Sequence, residues 1–245
     1  MLNQEDPETV RSGAPAYLLL IDGLIADSPD DIKLLLVGAR LYSAYAGGLV
    51  EETGRRKQLT AKSKDYAARA LCSQNPRLCD AERMPFERFG ATLNTTQQAD
   101  LEALYVLAVS WAGWIRTRSD DWNAVADLGR VEHLLQRIID LQPEYARGRA
   151  QLYLGVLRTQ IPAAMGGDPL RGRYHFERAL EYSQSRDLMA KVEFARSYAR
   201  LVFDKALHDR LLHEVLAADP REPDLTLSNT LAQRLARSMM KDDYF

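Results

Sequence analysis

The sequence predicts an all-α protein built from helical hairpins, and three observations support this fold class. Apolar residues recur at helical spacing through almost the whole chain, whereas the alternating pattern of strands is scarce. Glycine and proline account for only 14 and 10 of the 245 residues, too few for a loop-rich or disordered chain. Pro29, Pro143 and Pro220 each separate two apolar helical segments, because proline ends one helix but is tolerated in the first turn of the next.

The helical periodicity and its interruptions predict about ten helices. Residues 1–13 are predicted to be a disordered segment, or what is left after removal of a leader. A single domain is predicted over residues 14–245, with a first helix at 14–27 and a last helix at 224–241 as its caps. Four irregular helix pairs are predicted between these caps, at 31–72, 96–141, 144–183 and 187–218.

Small and aromatic residues in the third pair indicate how its two helices pack. Gly155 lies in the first helix, and Gly172, Phe176 and Ala179 follow in the second at spacings of four and three. Small residues let paired helices approach, and the aromatic ring fills the space between pairs. This arrangement resembles the tetratricopeptide repeat (TPR), so the fold is predicted to be a TPR-like array, an α-solenoid or superhelix.

The composition and the motifs exclude several classes of function. Lysine and arginine number 32 against 34 for aspartate and glutamate, so the chain has no basic footprint for nucleic acid. No uncharged apolar run reaches the ~18 residues of a membrane span. His208 and His213 are five residues apart and share no helix face, and two cysteines cannot form a four-thiolate zinc site. Without a recognisable nucleophile or acid–base signature, we predict no enzyme activity, no metal and no cofactor.

Several longer segments occur in an order that points to one family. They include LLLIDGLIADSPDDIKLLLVGARLYSAYA at 18–46, PAAMGGDPLRGRYHFERAL at 162–180 and HEVLAADP at 213–220. Over residues 14–245 the chain resembles the T components (TatT type) associated with tripartite ATP-independent periplasmic (TRAP) transporters. The glycine-rich block followed by the LAADP turn is the most specific part of this resemblance.

The resemblance implies a location, partners and an assembly. Proteins of this type are similar to bacterial periplasmic lipoproteins with a TPR-like fold, and they work with the substrate-binding protein of the transporter, the P component. The resemblance also implies a homotrimer whose protomers carry apolar clefts or pores. The printed sequence shows no lipobox, so contact with the membrane is expected only through a lipid anchor on the full-length precursor.

Aromatic residues on the predicted first helices are candidates for the lining of such a cleft. In a TPR-like superhelix the first helices line the concave face. An aromatic lining would bind an apolar or amphipathic small molecule, or a segment of a partner chain. The alternative is that each of these residues belongs to an ordinary core, and the rival function is a generic TPR adaptor that binds a peptide. The candidates are Tyr42, Tyr45, Tyr105, Trp111, Trp114 and Tyr153.

Two further features need a local interpretation. The turn that contains Gly166, Gly167, Asp168 and Pro169 is expected to be structural, with Asp168 as the N-cap of a helix that starts at Pro169. It lacks the glycine count, lysine and preceding strand of a phosphate-binding loop. Given the periplasmic location that the resemblance implies, Cys72 and Cys79 would oxidise to a local disulfide, and two unpaired thiols are the alternative.

Overall fold

Helices follow one another through the chain in a computed structural model, which describes residues 1–160, 163, 167–242 and 244. None of these described residues forms a strand. Short 3₁₀ turns occupy Pro76–Leu78 and Gln98–Asp100, and a π-helical turn, Phe194–Ala199, continues directly from α10. The α-helices are α1 (Pro7–Asp27), α2 (Ile32–Gly48), α3 (Thr53–Gln74), α4 (Phe86–Leu93), α5 (Leu101–Arg116), α6 (Trp122–Ala126), α7 (Leu128–Leu141), α8 (Tyr145–Arg158), α9 (Pro169–Tyr182), α10 (Leu188–Glu193), α11 (Lys205–Ala217) and α12 (Thr226–Met239).

The chain divides into two compact units. The N-terminal unit is Glu8–Gln142, and the C-terminal unit consists of Met1–Pro7 together with Pro143–Phe245. The boundary falls at the Pro143 turn, within the range that the sequence predicted as one domain.

Neighbouring helices pack in pairs within each unit. In the N-terminal unit α2 packs on α3, α3 on α5, and α5 on α7. In the C-terminal unit α8 packs on α9, α10 on α12, and α11 on the π-helical turn. The predicted all-α array of helix pairs is confirmed, and the arrangement is consistent with a solenoid-like fold.

Each unit has its own apolar core. In the N-terminal unit the largest fully buried side chains include Trp111 of α5 and Phe89 of α4. In the C-terminal unit Phe176 of α9 stacks on Phe194 with ring centroids 5.0 Å apart, and Leu212 of α11 belongs to the same buried cluster. These cores account for the helices, because helical stability in proteins comes mostly from burying one apolar face.

Helix α1 starts at Pro7, earlier than the predicted start at residue 14, and continues through Pro15. Proline at position 15 has no N–H to donate to the carbonyl of Arg11, four residues earlier. The hydroxyl of Tyr45 donates to that carbonyl oxygen at 3.4 Å. A side chain from α2 therefore compensates for the hydrogen bond that proline removes. Residues 7–13, within the segment that the sequence predicted to be disordered or left after removal of a leader, are helical.

The glycines predicted to bring α8 and α9 together do lie at close approaches. A Cβ atom added at Gly155 would lie 3.0 Å from the ring of Phe176, and one added at Gly172 would lie 2.5 Å from Cγ2 of Thr159. Both distances are too short for ordinary packing. The sequence pattern therefore correctly predicted a helical hairpin at α8 and α9. The two glycines have no side chain, and this allows the helices to approach so closely.

A valine at position 155 should test this close packing. Gly155→Val would force the Phe176 ring out of its position, and overpacking of this kind costs about 1–3 kcal/mol. Gly113→Ala in α5 is the control, because its added Cβ would meet nothing within 4 Å and alanine favours a helix by about 1 kcal/mol. Chemical denaturation should show loss of stability for the first variant and a small gain for the second. Equal stability of Gly155→Val and the wild type would contradict close packing at this point.

Candidate functional site

The outer face of α1 carries large apolar side chains that remain exposed among the residues that the structure describes. Tyr17, Leu19, Leu20 and Leu24 are 64, 74, 59 and 43% exposed. Tyr17, Leu20 and Leu24 follow one another at spacings of three and four, so they form one stripe along the helix. These four residues are called the α1 face below.

The opposite side of α1 explains why this helix forms. Val10, Leu18, Ile21 and Ile25 are buried, and they anchor the helix in the N-terminal unit. Between residues 12 and 26 the only charged side chain is Asp22. A helix that is apolar on nearly all sides is usually buried, so an uncovered apolar side indicates a missing partner.

Asp22 fixes α1 to its neighbours through three hydrogen bonds. Its carboxylate accepts from the hydroxyl groups of Tyr42 on α2 and Tyr66 on α3, each at 2.7 Å, and from Nζ of Lys62. The ammonium group of Lys62 also lies 5.1 Å from the ring centroid of Tyr42. One carboxylate therefore holds three helices in register beneath the α1 face.

The electrostatics of this network keep Asp22 charged and both tyrosines neutral. Burial alone would raise the pKa of Asp22, but the hydrogen bonds from Lys62, Tyr66 and Tyr42 outweigh it and lower that pKa. Burial and the Asp22 carboxylate together raise the pKa of Tyr66 to about 12 and raise the pKa of Tyr42 as well. The network therefore keeps one protonation pattern throughout the neutral range and acts as a fixed support.

Three of the six aromatic residues predicted to line a cleft are buried. Tyr42 belongs to the Asp22 network, and Tyr45 binds the Arg11 carbonyl. Trp111 is fully buried, and its indole Nε1 donates to Oδ2 of Asp127 at 3.2 Å. Burial outweighs this hydrogen bond and raises the pKa of Asp127. These three side chains lie in the interior of the N-terminal unit. Their positions agree with the alternative to a cleft lining, in which each belongs to an ordinary core.

Trp114 is only half-buried and lies close to two cations. Its ring centroid is 4.0 Å from Nζ of Lys64 and 4.7 Å from the guanidinium of Arg118. Lys64 is also paired with Glu82 at 2.7 Å, and Arg118 donates to the backbone carbonyl of Lys57 at 2.8 Å. The sequence pointed to the tryptophan but missed both cations: Lys64 lies on α3, distant in sequence, whereas Arg118 follows Trp114 by only four residues.

The remaining two aromatic candidates lie in different units. Tyr105 of α5 and Tyr153 of α8 are both half-buried. The structure has an open cleft in each unit, one lined by Arg77, Arg88 and Thr92 and the other by Thr159, Arg196 and Tyr244 among others. None of the six predicted aromatic residues is among the lining residues of either cleft.

The predicted helix cap and the cysteine pair have clear local roles. The carboxylate of Asp168 accepts a hydrogen bond from the backbone N–H of Arg171 at 3.0 Å, and Pro169 is the first residue of α9. Gly167 precedes the cap, whereas Gly166 lies outside the described residues. Cys72 and Cys79 form a disulfide with their Cα atoms 4.4 Å apart, which joins the last turn of α3 to the residue after the 3₁₀ turn.

His175 of α9 is the most perturbed histidine. It is buried, and its Nδ1 lies 2.6 Å from Oε1 of Gln151. Burial, together with the charges of Arg158 and Arg171, lowers its pKa to about 4. In the part of the chain that the structure describes, no three histidine, cysteine, aspartate or glutamate residues come together as a metal site.

Acidification should therefore destabilise the protein through His175. The unfolded chain binds a proton near pH 6.5, whereas the folded chain binds it only near pH 4, so stability falls as the pH drops through this window. The full shift corresponds to about 3 kcal/mol. Denaturation between pH 7 and pH 4 should show this loss in the wild type and a smaller loss in His175→Gln. His133→Gln, at an exposed histidine, is the control, and parallel curves for His175→Gln and the wild type would contradict the assignment.

The geometry defines the class of protein, a solenoid-like helical array that presents an exposed apolar helix face. Comparison with known families identifies the particular family, because the family model of the TRAP transporter T-component matches residues 3–245. The chain therefore belongs to this family, as the sequence resemblance predicted. It is an accessory component of a TRAP transporter, a periplasmic transport system, and associates with other components of that system.

Two further findings bear on this assignment. No curated protein matches the chain. Within the described residues, none of the helices has both the length and the apolar character needed to cross a membrane.

Proposed function

We propose that this chain is a non-enzymatic periplasmic accessory that docks the P component of a TRAP transporter through the α1 face. The observation that supports the proposal is the uncovered apolar stripe of Tyr17, Leu20 and Leu24. Contiguous exposed apolar surface of this kind marks interaction sites in proteins. Membership of the T-component family makes another transporter component the partner to expect.

The packing beneath the α1 face suits it for docking. The buried side of α1 and the Asp22 network hold the helix in place before any partner arrives. A rigid, preorganised surface loses little conformational entropy on binding. An added Cβ at Gly13 or Gly23 would meet nothing within 4 Å, so the backbone of a partner could approach α1 closely at these two positions.

The ligand-binding part of the function is a narrower proposal. The apolar or amphipathic small molecule expected from the resemblance would contact the half-buried aromatics Trp114, Tyr105 or Tyr153, in preference to the buried ones. Trp114 is the best placed of the three, because its half-buried ring offers apolar area and the neighbouring guanidinium of Arg118 offers charge for a polar head.

A homotrimer is proposed on the family resemblance, and sedimentation tests it. Assembly could itself cover the α1 face, and this alternative has a distinct signature. An oligomer that dissociates when Leu20 is replaced by aspartate would assign the α1 face to self-association. An oligomer that persists in this variant would leave the face free for the P component.

Direct binding to the P component of the same transporter tests the proposed function. Calorimetric titration should give a saturable complex at micromolar concentrations, with a negative heat-capacity change because apolar surface is buried. Absence of heat and of co-purification at high micromolar concentration, for monomer and oligomer alike, would contradict the proposal.

A further inference from the structure

The open cleft of the C-terminal unit is separate from the α1 face and is lined by none of the six aromatic candidates. Its volume is about 390 Å³, within the range of small-molecule sites. Thr159 and Gln160 after the last turn of α8 line one part, and Arg196, Ser197 and Arg200 line another. The second group comes from the π-helical turn and the residue that follows it, and π-helical insertions recur at functional sites.

Arg200 is held in a fixed orientation at this cleft. Its side chain is only 13% exposed, and its Nε donates to Nε2 of His208 at 3.3 Å. Because Nε2 of His208 accepts, its proton lies on Nδ1, which donates to Oδ1 of Asp209 at 2.9 Å. These two hydrogen bonds hold the Nε side of the Arg200 guanidinium, so its Nη2 side is left to pair with an anion.

The anion that Arg200 meets comes from the short segment after α12. Oδ2 of Asp242 lies 3.1 Å from Nη2 of Arg200, and the Tyr244 ring centroid lies 4.5 Å from the guanidinium carbon. Nη2 is itself buried and donates no aligned hydrogen bond to any residue that the structure describes. Arg196, in contrast, donates three hydrogen bonds to Glu193 and is already neutralised.

The contact between Asp242 and Arg200 is exchangeable. The Asp242 side chain is 55% exposed, and ion pairs with an exposed member contribute little to stability because solvent screens them. A competing carboxylate with better alignment to Nη2 would satisfy the buried donor that Asp242 leaves without a hydrogen bond. An aromatic body on that ligand would take over the stacking position of Tyr244.

We propose that this cleft binds a small organic carboxylate, with Asp242 and Tyr244 as its competing intramolecular occupants. Arg200 pairs with the carboxylate, and the hydroxyl and amide groups of Ser197 and Gln160 meet its remaining polar atoms. The site lies within the C-terminal unit and does not depend on docking through the α1 face.

The probe for this site is 4-hydroxyphenylacetate, which combines the carboxylate of Asp242 with the phenol of Tyr244. Calorimetry or ligand-observed NMR should show about fivefold tighter binding to a chain that ends at Met240 than to the full chain, the factor expected when a competitor of about 1 kcal/mol is removed. Asp242→Asn in the full chain should give a smaller gain. It keeps the segment in place in case the shorter chain is unstable.

Matched variants and a neutral ligand decide the outcome. Arg200→Gln in the shortened chain should abolish binding, and Arg210→Gln, at an exposed arginine of α11, should not change it. The neutral analogue 4-hydroxyphenylacetamide should bind at least about tenfold more weakly, because Arg200 recognises charge. Equal affinity of the full and shortened chains, unchanged binding by Arg200→Gln, or equal binding of the amide would each overturn the proposal. The P component is absent from this assay, so failure here leaves the docking proposal untouched.

Discussion

Replacing Trp111 by alanine should lower the free energy of unfolding of the N-terminal unit by about 3–5 kcal/mol. The side chain is fully buried in α5, so its removal leaves a cavity that the surrounding helices fill only in part. The variant also loses the hydrogen bond to Asp127, a carboxylate that burial already disfavours in its charged form. Lys64, whose Nζ lies 4.8 Å from the Trp111 ring centroid, loses a favourable contact as well.

Chemical denaturation followed by tryptophan fluorescence measures this effect selectively. All three tryptophans, Trp111, Trp114 and Trp122, lie in the N-terminal unit, so their fluorescence reports on that unit even after one is removed. Trp114→Ala is the matched control and should cost less, because Trp114 is half-buried. If Trp111→Ala lowers the free energy of unfolding by less than about 1 kcal/mol, the core position of Trp111 is contradicted. Trp111 would then again be a candidate for the cleft lining predicted from the sequence.

Replacing Leu20 by aspartate should weaken binding of the P component by about 100-fold or more. A leucine at the centre of an apolar interface is replaced by a charge that must be desolvated on binding, and such central positions dominate binding energy. The stability of the free chain should change by no more than about 0.5 kcal/mol, because Leu20 is exposed in it. Calorimetric titration of the folded variant separates the two effects.

Leu170→Asp provides the matched control for this experiment. Leu170 of α9 is a leucine with 77% exposure, and it lies in the other unit. This variant should bind the P component like the wild type. Weakened binding by Leu170→Asp, with normal binding by Leu20→Asp, would move the docking surface to α9 and reject the α1 face.

The sequence predicted what depends on local spacing. Helix pairs follow from periodicity and from the proline turns, and the approach of α8 to α9 follows from Gly155 and Gly172. The N-cap geometry of Asp168 follows from the aspartate–proline pair at the start of α9. Each of these features is determined by residues close together in the chain.

Features that depend on distant neighbours could not be predicted in the same way. Helix α5 is apolar on all sides, so its sequence cannot tell buried Trp111 from half-buried Trp114 three residues later. The role of Tyr45 depends on a carbonyl that Pro15 leaves free on another helix. The exposure of Leu20 could not be predicted either, since an apolar segment such as 14–27 normally indicates a buried helix.

Site-specific photo-crosslinking tests docking through the α1 face most directly. Benzoylphenylalanine would replace Tyr17 in one variant and Leu170 in another, since both positions are exposed. After irradiation with the P component, we predict a crosslinked heterodimer from position 17 and none from position 170. A crosslink from position 170 alone, or a crosslink from position 17 only to a second copy of this chain, would contradict the account.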